Sequence, residues 1–74
     1  MDWTAQYCND PTHDFDLVIE ILYKDDIVAM IRYRDELELI WFINESNLCI
    51  PVDWLSELFN RAKCDLIPAR IEIV

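Results

Sequence analysis

The chain has 74 residues and a formal net charge of -9, from six Lys and Arg against fifteen Asp and Glu, with three Cys, one His and no Gly. A chain this short holds one domain, whose core only just offsets the entropy of ordering it. The charge excludes direct binding to nucleic acid or anionic membrane, which need Lys and Arg against phosphate. The lack of glycine excludes phosphate loops, dinucleotide fingerprints and nucleophile elbows.

Hydrophobic residues make up 54%, which is not the composition of a disordered chain. Met1-Asp2-Trp3 has neither a basic segment nor an apolar one, so no secretory signal is expected. No apolar run approaches the roughly 20 residues of a membrane helix; Ile27 to Ile31 ends at Arg32. Cys8, Cys49 and Cys64 are odd in number and widely spaced, which allows one bridge with a free thiol but favours three free thiols in a reducing cytoplasm, of the cell or of an infected host cell.

Residues 1–14 read as an N-terminal arm and 15–74 as a single α+β domain. Asn9-Asp10-Pro11-Thr12 is turn chemistry. Trp3 and Tyr7, four apart, suit one helical turn that anchors the arm. From Phe15 the period becomes two. Phe15, Leu17, Ile19, Ile21 and Tyr23 form one apolar set, Ile27, Ala29, Ile31 and Tyr33 a second, and Leu37, Leu39, Trp41 and Ile43 a third. Odd-numbered residues stay on the same face throughout, which predicts a three-stranded antiparallel meander. The simplest registers pair Tyr23 with Ile27 and Tyr33 with Leu37, each leaving a three-residue loop.

Asn44 to Asn47 break the pattern. Pro51 suits the first turn of a helix, Asp53 and Glu57 complement its dipole, and Trp54, Leu55, Leu58, Phe59 and Ala62 form one apolar stripe. Pro68 is expected to stop this helix. Ala69 to Val74 alternate and read as a short C-terminal strand. The expected order is β-β-β-α-β, with the helix across one sheet face.

The other face is graded. Leu22, Val28, Met30, Ile40 and Phe42 form an apolar patch at one end, and charge-compensated pairs such as Arg32–Glu38 lie at the other. Either the arm or the C-terminal strand covers this patch, or it is open and takes a partner or a second copy. Charge is equally uneven: residues 1–45 hold eleven of the fifteen acids and three of the six bases. Asp25 and Asp26 cap the first hairpin. Asp14, Asp16, Asp35, Glu36 and Glu38 collect at the opposite end, tempered by Arg32 and Arg34.

Cys8, Asp10, His13 and Asp14 match no common zinc spacing, and His13 beside Asp14 has no convincing nucleophile nearby. No metal, cofactor or catalytic residue is expected, and the chain does not read as an enzyme. Small size, acidity and an apolar patch together resemble the profile of inhibitors of nucleases and defence complexes: anti-CRISPR proteins, toxin-immunity proteins and DNA mimics. No family motif accompanies that profile. The leading expectation is an inhibitor or adaptor that docks its acidic end on a protein partner with a basic surface. The alternative is a homo-oligomeric structural subunit, at its simplest a homodimer, built through the apolar patch.

Overall fold

The computed structural model describes residues 1–44 and 47–71. Four strands, β1 (Trp3–Asp10), β2 (Asp16–Tyr23), β3 (Asp26–Tyr33) and β4 (Leu37–Trp41), are followed by one helix, α1 (Val52–Ile71). The strands pair antiparallel in chain order, β1-β2-β3-β4. The α+β architecture is the expected one, an antiparallel meander with an amphipathic helix on one face, but the sheet has a fourth strand.

That strand is the expected arm. β1 pairs with β2 along its whole length, from Trp3 opposite Tyr23 to Asp10 opposite Asp16. A spacing of four fits one helical turn and two strand repeats equally well, so Trp3 and Tyr7 share a face in either conformation. Pairing with β2 decides in favour of the strand. Trp3 is then built into the core: its ring lies 4.8 Å from that of Tyr23 and 6.2 Å from that of Trp54, and its Nε1 donates to the Cys49 carbonyl at 2.9 Å.

The core lies between the two central strands and the helix. Ile19 and Ile21 of β2, with Ala29 and Ile31 of β3, meet Leu58, Ala62 and Leu66 of α1. These helical residues recur every four positions, continuing the stripe read from the sequence by one turn. Leu55 N donates to the Pro51 carbonyl at 3.0 Å, so Pro51 caps the helix from just outside it. Pro68 does not end the helix, which continues to Ile71. Pro68 and Cys64 are both exposed, so the Cys64 carbonyl, left without an N–H donor by Pro68, can bond to water. Ala69 to Ile71 are therefore helical where a strand was expected, and the rest of that stretch, residues 72–74, lies outside the described residues.

The first hairpin also departs from the expected register. Tyr23 pairs with Asp26 rather than Ile27, closing a two-residue turn in which Lys24 and Asp25 take φ of 49° and 70°. Positive φ at both central positions is the turn geometry whose twist matches a tight hairpin. The register then shifts, with Leu22 opposite Ile27 but Ile21 opposite Ala29. The extra residue is Val28, a β-bulge that turns its side chain to the helix side. Val28 is 4% exposed and belongs to the core, whereas Ile27 is 45% exposed. Val28 is thus not part of the open-face patch in which the alternation had placed it. From Tyr33 opposite Leu37 onward, the second hairpin has the expected register. Among the described residues no helix is long and apolar enough to cross a membrane.

An integral β1 has a measurable consequence. Trp3→Ala is expected to lower the unfolding free energy by about 3–5 kcal/mol, the range for removing a buried aromatic. Urea denaturation checks this. A loss below about 0.5 kcal/mol, as for a surface site, would mean that residues 3–10 are a loose arm after all.

Candidate functional site

The connection from β1 to β2 turns without glycine, and Asp10 organises it. Its carboxylate accepts hydrogen bonds from Thr12 N at 3.0 Å, Thr12 Oγ1 at 2.7 Å and His13 Nδ1 at 2.9 Å. Because the partner of His13 Nδ1 is an acceptor, that nitrogen carries the proton. The Asp10 carbonyl accepts from His13 N and Phe15 N, at 3.2 and 2.8 Å, and Asn9 Nδ2 closes the loop onto the Phe15 carbonyl at 3.0 Å. Within this frame Asp14 and Phe15 are left-handed, with φ of 55° and 58°. Aspartate tolerates that conformation, but for a bulky side chain it is a strained outlier. The alternation had assigned Phe15 to the buried face of the first strand; it stands instead at the loop tip, 66% exposed. Its neighbours Asp14 and Asp16 are the only sequence signal, because a turn this tight without glycine must force some residue into the left-handed region.

The second hairpin turn, between β3 and β4, lies at the same end of the sheet. Asp14 and Asp16, from the first connection, and Asp35, Glu36 and Glu38, from the second, therefore share one end, joined there by Asp10. Two guanidiniums lie among these carboxylates. Arg32 Nε donates to Glu38 Oε2 at 3.0 Å, the cross-strand pair read from the sequence. Arg34 N bonds the Glu36 carbonyl at 3.1 Å, closing the turn. The helix runs towards the same end, since Trp54 in its first turn meets Trp3 while Asp65, three turns on, accepts from the Tyr7 hydroxyl. The bond to Asp65 raises the Tyr7 pKa above the usual tyrosine value. Stability from that bond is present below the tyrosine range and lost as pH rises through the raised value.

The apolar patch is partly redistributed. Leu22, Met30 and Ile40 lie half-buried on the face away from the helix, and Phe42 is 53% exposed. Ile27 stands where Val28 was expected, while Glu20, bonded to Gln6 at 2.7 Å, interrupts the patch on the β2 side. What remains is a strip along β3 and β4. Pro11, Thr12 and His13 border a shallow groove of about 460 Å³ over Val18, Met30 and Ile40. No described element covers the rest of the face, and neither the arm nor the helix folds over it. All three cysteines are free, and among the described residues no three His, Cys, Asp or Glu side chains are grouped to hold a metal ion. No protein-family model, curated protein or solved structure matches the chain.

The hydrogen bonds from Thr12 and His13 hold the Asp10 carboxyl down at about 2, against an ordinary 3.8. A lowered pKa stabilises the folded loop above the ordinary value, and that contribution is lost as pH falls through about 2. A carbon-detected NMR titration is expected to show Asp10 with its midpoint near 2, with the Thr12, His13 and Phe15 amides moving together with it. An ordinary carboxylate midpoint would remove Asp10 as the organiser of the loop.

Proposed function

We propose that the protein is a small, non-enzymatic inhibitor or adaptor that docks its acidic end on a Lys/Arg-lined protein surface. Its most concrete form is the blockade of a nucleic-acid-binding effector, in the manner of anti-CRISPR, toxin-immunity or other anti-defence proteins. One observation carries this reading: both hairpin turns at one end of the sheet present carboxylates, and the first of them also exposes a strained Phe15. An aromatic anchor with a polar rim is the usual anatomy of an interface hot spot. Carboxylates held on rigid hairpins can occupy a groove shaped for phosphates, with association speeded by long-range attraction. Three free thiols fit the reducing interior of a cell, which is where we place its action.

The test is capture of a host protein by the immobilised chain at about 50 and about 500 mM salt. The expected partner binds nucleic acid, is displaced by a duplex DNA competitor, and is lost at high salt. Asp35→Lys with Glu36→Lys is expected to weaken binding by about 100-fold, and Phe15→Ala by about tenfold or more. Phe15→Ala should leave the unfolding midpoint within a few degrees, because the ring is exposed. Salt-independent capture, or full affinity in the charge-reversed protein, would overturn the proposal.

A further inference from the structure

The two edges of the sheet are chemically unlike. β1 exposes Thr4, Ala5, Gln6 and Asn9, with Tyr7 tied to Asp65 of the helix. β4 reads Leu37-Glu38-Leu39-Ile40-Trp41 and has no Lys, no Pro and no bulge, the devices that keep a free edge from pairing. The helix does not shield it either: Leu39 and Trp41, on the helix side, are 45% and 37% exposed.

The hydrogen bonds of the β3–β4 hairpin specify what this edge offers. Phe42 N bonds to Val28 O, and Arg34 N bonds to Glu36 O. Opposed pairs that exchange hydrogen bonds alternate along an antiparallel ladder. Between those two bonds the pairs directed inward are Met30 with Ile40 and Arg32 with Glu38. The N–H and C=O groups of Leu37, Leu39 and Trp41 consequently point away from the sheet. No described strand receives them.

We infer that β4 pairs with β4 of a second copy of the chain, antiparallel about a two-fold axis at Leu39, to give one continuous eight-stranded sheet. Centring the axis on Leu39 sets Leu39 against its own counterpart and Leu37 against the counterpart of Trp41. All three outward-pointing residues then exchange hydrogen bonds across the junction. The same register joins Leu37, Leu39 and Trp41 of both copies into one apolar row on the helix side. On the other face each Glu38, already held by Arg32, lies opposite the other copy's Ile40. An axis at Glu38 would instead oppose two carboxylates and leave Trp41 with no partner within the strand. An axis at Ile40 would leave Leu37 with no partner within the strand.

A junction this small and between like-charged chains is weak. Its dissociation constant is expected on the order of tens of micromolar at moderate salt, and to tighten several-fold as salt screens the repulsion. That salt dependence is opposite in sign to docking on a basic partner, so the two proposals fail independently. Sedimentation velocity from about 10 μM to about 1 mM, at low and high salt, is expected to show a transition from 8.9 kDa to twice that mass. Leu39→Lys should abolish the transition at the same concentrations, with an unchanged circular dichroism spectrum, whereas Phe42→Glu, outside the paired residues, should preserve it. In a half-labelled sample an intermolecular contact between the Hα protons of Glu38 and Ile40 reports this register, because those residues form the close, non-hydrogen-bonded pairs beside the axis. A monomer under all conditions would overturn the inference. So would a dimer that Phe42→Glu breaks and Leu39→Lys leaves intact, because it would associate through the open face instead.

Discussion

One helix must serve four strands, and most features of this molecule follow from that mismatch. A helix is about 10 Å across with its side chains, while four strands span close to 20 Å at the usual spacing. The helix therefore covers the two central strands, and the core is drawn from Ile19, Ile21, Ala29 and Ile31. Each edge is finished differently. At β1, Trp3 fills the gap beside the helix by packing at a tilt between Tyr23 and Trp54 and bonding to the Cys49 carbonyl. At β4 nothing comparable is present among the described residues, and Leu39 and Trp41 stay exposed. Beyond the loop of Pro11, Thr12 and His13, the far face has no second layer among the described residues.

Turning the chain without glycine is the second constraint, and it determines where the charge collects. Among the described residues, four non-glycine residues take positive φ: Asp14, Phe15, Lys24 and Asp25. Asp bears this conformation better than most residues, since its short side chain can bond to nearby backbone. Acid is consequently concentrated where the chain reverses. Antiparallel pairing then gathers the reversals in two sets at opposite ends of the sheet. One set joins the β1–β2 and β3–β4 connections, so local turn chemistry becomes a surface property. Phe15 is the exception that the pattern does not require. Its strain is sustained by the bonds around Asp10, and it exposes a ring that folding alone would have buried.

The sequence carries the central part of this fold plainly. Alternation over β2, β3 and β4 gives the strands and the face of Ile19, Ile21, Ala29 and Ile31, and helical spacing gives Leu58 and Ala62. Even the Arg32–Glu38 pair follows from counting out of a correct second turn. Three features resist such counting. The spacing of Trp3 and Tyr7 fits helix and strand alike, so only the unpaired edge of β2 makes residues 3–10 a strand. Moving Val28 inward depends on a two-residue turn at Lys24-Asp25, where alternation alone favours three residues and an unbroken period. Pro68 is a stop signal by local rules, yet on the exposed side of a helix already packed through Leu66 the lost bond can be made to water.

Net charge acts on the two remaining surfaces in opposite directions. A charge of -9 draws the acidic end towards any basic groove and resists contact between two copies. The exposed β4 edge is therefore protected from open-ended aggregation by repulsion rather than by the lysines or prolines that usually guard an edge. A two-fold junction at that edge adds only one repulsive neighbour and leaves β1 as the outer boundary on both sides. β1 exposes the polar Thr4, Gln6 and Asn9, and its Tyr7 is tied to the helix. Pairing through β4 would then stop at two copies, because the outer edges offer no matching apolar row. Antiparallel pairing would also direct the two acidic ends away from each other, which keeps their mutual repulsion low and leaves both ends exposed.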